Sequence, residues 1–99
     1  MQVYVAREVA EVEALHPYLK DEPFRMLPIR EQIAKQAGVL HAAHASGDRR
    51  VGMHLMCWWP GANGRSLDDV MNTQVSPHDA QLTMAREYGF RDWSEVDAS

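Results

Sequence analysis

The sequence predicts an all-α fold, a compact bundle of four to six short helices, and three observations carry that expectation. Apolar residues recur at helical spacing through the first half of the chain, at intervals of three and four. The stretch from Ser76 to Val96 is punctuated by residues that start and stop helices. The one continuous apolar run, Val51 to Trp59, has no obvious partner strand. At 99 residues the chain has material for one hydrophobic core, and it is read as a single domain, 1–99.

In chain order, Val5, Val9, Val12, Leu15 and Leu19 mark one face of a first helix from Val5 to Lys20, with a bend at His16-Pro17. Val3 and Val5 also alternate with smaller or polar neighbours, so a short N-terminal strand is the competing reading there. Asp21 to Pro28 is a connection, and Pro28 suits the first turn of the next helix. Ile29, Ile33, Ala37, Leu40 and His44 give that helix its buried face, and Ser46-Gly47-Asp48 stops it, with Gly47 in the left-handed region. Gly38 in its interior costs up to ~1 kcal/mol against alanine, which points to a close approach by another helix.

Val51 to Trp59 is too short to assign by periodicity alone and fits a buried helix or a strand; helix is favoured because Met, Leu and His are common there, the all-round apolarity suggests the centre of the core or an oligomer interface, and Pro60-Gly61 ends it. Ser66 with Asp69 opens a short helix through Met71. Ser76 is an N-cap, Pro77 the first helical residue and Asp79 the third, while Gly89 follows the last turn. Phe90 falls where a Schellman motif folds an apolar side chain back, and Asp92 with Glu95 opens a final helix. Tyr88, Phe90, Trp93 and Val96 are expected to peg this end into the core.

Composition excludes several classes of function. A formal charge of −4 disfavours a nucleic-acid binder, and the lone basic pair, Arg49-Arg50, reads as a solvated turn. Ala85 and Gly89 have the separation seen in a helix-turn-helix, but Asp92, Glu95 and Asp97 would present negative charge to phosphates. No run reaches the ~18 apolar residues of a membrane span, and no signal-peptide pattern opens the chain. The single cysteine, Cys57, sits among apolar neighbours and reads as a buried, inert thiol, which together with the missing signal predicts a cytoplasmic protein.

Five histidines raise the question of a metal. His41 and His44 share a helix face, and His16 completes a trio if the first two helices pack at matching heights. Glu13 and His16 have the Glu-x-x-His spacing of carboxylate-bridged bundles, but such sites need it twice and this chain has it once. No nucleophile elbow and no lysine-bearing phosphate loop occurs, so no cofactor is expected and catalysis is disfavoured.

The run Ala85-Arg86-Glu87-Tyr88-Gly89-Phe90, two residues, then Trp93, resembles the helical leader at the front of many bacterial ankyrin-repeat proteins. Gln36 to Asp48, with Ala42, His44, Ala45, Gly47 and Asp48, looks like the first helix of the same leader. A similar pattern precedes some glyoxalase-like domains, where His78 and Asp92-Trp93 fit. The resemblance covers about two-thirds of the chain and implies a helical accessory module with no catalytic residues to carry over, since ankyrin repeats and a glyoxalase metal set are both lacking.

The expectation is a non-enzymatic protein-interaction module, self-associating as a homo-oligomer. Trp58 and Trp59 are adjacent and cannot both face one core on a regular element, so one is read as a surface anchor for interaction, with Met53 and Met56 beside it, the competing reading being a buried position against a long loop. The alternative is a small-ligand or metal-binding protein using His16, His41 and His44, or a pocket lined by Met53, Met56 and Trp58. A regulatory partner such as an antitoxin or inhibitor is the third class.

Overall fold

The computed structural model describes residues 14–99. Among them the fold is all-α, with six α-helices, short 3₁₀ turns and no strand. Residues 14 and 15 are helical and His16 leaves the helix at φ −121°, as a residue before proline prefers, ahead of a 3₁₀ turn at Pro17–Lys20. Most of the first expected helix, and the alternative strand at Val3 and Val5, lie outside the described residues.

Helix α1 (Glu22–Arg25) is one turn, and α2 (Ile29–Ala45) is the longest element. Its buried side is Ile33, Gln36, Ala37, Leu40 and His44, whereas Ile29 is 40 % exposed. Gln36 replaces Ile29 in the expected stripe because its amide has a partner, donating to the Tyr88 hydroxyl. Gly38 is exposed, and a Cβ built on it meets no described residue within 4 Å, so among the described residues the close approach expected there is absent. The helix ends in a Schellman motif: Asp48 N–H donates to the Ala43 carbonyl and Gly47 N–H to that of His44, with Gly47 at φ +80°.

A 3₁₀ turn at Arg49–Val51 leads into α3 (Gly52–Trp58), the apolar run, which is helical as expected. Its glycine start has a packing reason, since a Cβ at residue 52 would lie 2.9 Å from Leu67 Cδ1. Leu67 opens α4 (Leu67–Met71), where the Ser66 hydroxyl accepts from Asp69 N–H. In α5 (Pro77–Glu87) a complete capping box joins Ser76 and Asp79, at 3.0 Å in both directions. A second Schellman motif closes α5, with Phe90 N–H on the Ala85 carbonyl and Gly89 at φ +92°. The Asp92 carboxylate then caps α6 (Trp93–Ala98) by accepting from Glu95 N–H.

Helix α5 packs along α2 and against α3, and the core between them is Ile33, Leu40, Leu55, Met84, Ala80 and Ala85, closed by Val51, Val70 and Val96. Val96 is fully buried and Phe90 and Trp93 pack at the core edge, while Tyr88 is 38 % exposed and works through its hydroxyl. No helix among the described residues is long and apolar enough to cross a membrane.

Candidate functional site

Helix α3 carries two chemically different surfaces. Inward of it lies a chain of polar groups linking four side chains from three elements. The His54 Nδ1 is 3.1 Å from Glu87 Oε1, the His54 Nε2 is 3.0 Å from His16 Nε2, and the His16 Nδ1 meets the Tyr18 hydroxyl. Both imidazoles are essentially inaccessible to water, while Tyr18 and Glu87 sit half-buried at the two ends.

Satisfying every atom fixes the direction of the chain. Glu87 is an acceptor, so His54 Nδ1–H donates to it and His54 Nε2 becomes an acceptor. His16 Nε2–H donates there, which leaves His16 Nδ1 to accept from the Tyr18 hydroxyl. Burial, first, and the neighbouring His54, second, hold His16 down to about 4, with the Glu87 charge opposing them. Tyr18 is pushed above the ordinary phenol range by burial and by Tyr88, so it serves as a hydrogen-bond donor, not as a phenolate. No fully buried side-chain nitrogen or oxygen among the described residues lacks a partner.

The second surface is the outer flank and far end of α3. Met56 and Trp58 are each 41 % exposed, Met53 is half-buried, and Trp59 turns inward at 8 %. The Trp59 indole lies on Gly61, where a side chain would collide with the ring. Cys57, expected to be buried, is exposed. It falls one turn after Met53, on the flank away from Leu55, and its thiol reaches the Met53 sulfur at 3.7 Å.

The other expected ligands are placed apart from this chain. His44 is buried and its Nε2–H donates to the Val70 carbonyl at 3.0 Å, tying α2 to α4. His41 faces a cleft of about 400 Å³ with Met71, Thr73 and Gln74, which His44 also borders. His16 bonds to His54 instead, and no group of three or more His, Cys, Asp or Glu fit to hold a metal ion occurs among the described residues. Glu13 lies outside them. Another cleft, of about 390 Å³, is lined by Tyr18, Asp21, Phe24 and Lys35, whose ammonium lies 4.5 Å from the centre of the Tyr18 ring.

The basic pair is committed to acids: Arg49 reaches Asp68 at 2.9 Å, and Arg50 grips Asp48, at 2.6 Å from Oδ2. The Arg50 guanidinium holds the Asp48 carboxyl below its ordinary range.

The sequence reading missed His54 and Glu87. The signal for His54 was present, because one imidazole inside an otherwise apolar helix must find a polar partner. Nothing local marked Glu87, whose role depends on α5 docking beside α3. No known family, curated protein or solved structure matches the chain.

Proposed function

We propose that the chain is a non-enzymatic helical interaction module of the cytoplasm that pairs with a second copy of itself through the outer flank and end of α3. The observation that supports this reading is the division between Trp58 and Trp59. One indole is seated on Gly61 and nearly closed off; its neighbour is left 41 % exposed, with Met56 exposed to the same degree on the same short helix. Tryptophan and methionine are the residues that interface centres favour, the first for its large contact area and the second for its adaptability. A self-complementary patch of this kind closes into a two-fold dimer without leaving an open edge. The resemblance to a helical leader fits an accessory role of this sort.

Sedimentation velocity across micromolar concentrations tests the reading. The parent chain is expected to shift from monomer to dimer, and Trp58→Ala, which removes an anchor of ~1 kcal/mol from each of the two copies, to weaken the dimer about thirtyfold. Because Trp58 is exposed, far-ultraviolet circular dichroism of the variant should match the parent. A strict monomer throughout, or a Trp58→Ala dimer as tight as the parent, removes the proposal.

A further inference from the structure

His16 and His54 meet nitrogen to nitrogen, Nε2 to Nε2 at 3.0 Å, and that contact bonds only when one of the two carries a proton and the other does not. In the neutral pair, donation runs from Tyr18 through His16 and His54 to Glu87. One added proton is absorbed with all three contacts kept: His54 then donates at both nitrogens, and His16 exchanges tautomer to accept at Nε2 and donate from Nδ1 to the Tyr18 oxygen, whose own hydrogen turns to solvent from its half-buried position. A second added proton has no such accommodation. Two N–H groups then point at each other, two positive charges face one another away from water, and Glu87 can neutralise one of them.

We propose that the His16–His54 contact is a proton-operated latch, closed with no more than one added proton and opened by the second, which frees the Pro17–Lys20 turn and α1 from the body of α2, α3 and α5. Among the described residues, the groups facing the pair are Glu87 from α5 and Tyr18 from the turn, with Tyr88 beside Tyr18 and, behind it, Lys35 of α2, whose ammonium lies over the Tyr18 and Phe24 rings at 4.5 and 5.8 Å. Between residues 14 and 27 the buried side chains are Leu15, His16 and Phe24, so among the described residues the imidazole contact is one of three buried anchors of this segment. The low proton affinity of buried His16 agrees with this arrangement.

Amide hydrogen exchange from pH 7.5 to pH 3.5, corrected for intrinsic rates, tests the latch. The bonded amides of Leu19, Asp21 and Arg25 are expected to lose protection as pH falls, about tenfold per pH unit for each proton taken up, while α2 and α5 stay protected. His16→Gln, which keeps a donor but cannot take up the proton, should leave the segment protected at low pH. Glu87→Gln should open the latch at higher pH, since the closed pair then holds even its first proton less well. If the segment and the helices lose protection together, or His16→Gln opens at the parent's pH, the latch is wrong. If His16→Gln does not fold, Glu87→Gln decides, and an unchanged profile there overturns the proposal.

Discussion

The imidazole of His16 stays neutral in the folded chain down to about pH 4, because burial and the adjacent His54 both oppose its charge. In the unfolded chain the same group takes up its proton near pH 6.5. Between those two values the unfolded state binds more protons than the folded one, so stability is full above pH 6.5 and is lost as pH falls towards 4. Urea midpoints measured through that window should decline for the parent, and less steeply for His16→Gln. Cys57 supplies a second test at this scale. Its exposed thiol should be labelled stoichiometrically by a maleimide without denaturant, whereas a core thiol would require unfolding. Both residues were visible in the sequence, but their surroundings were not. A cysteine among apolar neighbours is buried or bare according to which flank of its helix the rest of the chain covers.

At the scale of the helix, the stop and start signals were legible because capping chemistry is local. Ser76, Asp79 and Gly89 act on backbone groups within a few residues of themselves, so their spacing alone was informative. Ser76→Ala should cost about 1 kcal/mol in chemical denaturation. Gly89→Ala should cost about 1 kcal/mol or more, because the Schellman turn holds residue 89 at φ +92° where a Cβ is strained. Gly38→Ala should act in the opposite sense. The site is helical, exposed and open around the missing Cβ, and alanine should add about 0.5–1 kcal/mol. A glycine inside a helix points to a close approach, and only the placement of the neighbouring elements reveals that none of the described residues comes near Gly38. Gln36 teaches the same lesson, since its burial depends on the Tyr88 hydroxyl fifty-two residues away.

At the scale of the molecule, a chain of 99 residues has roughly 5–15 kcal/mol of stability to lose. Leu40 is fully buried where α2 faces the core, and Leu40→Ala should cost about 2–5 kcal/mol, lowering the melting temperature by roughly 10–30 °C. Pairing of two copies would offset part of such a loss by mass action, making the melting temperature depend on protein concentration. The class of fold was readable as a whole because helical periodicity needs no knowledge of neighbours. The polar chain was not, because its four members are brought together only when the Pro17–Lys20 turn, α3 and α5 meet. The depths at which the three indoles settle also carry an optical consequence. Trp58 stands 41 % in water, Trp93 lies at the core edge, and Trp59 is closed against Gly61 at 8 %. Their emission should therefore overlap in one broadened band, from which a water-borne quencher removes the red side, Trp58, before the blue side, Trp59, so that the band shifts to shorter wavelength as quencher is added.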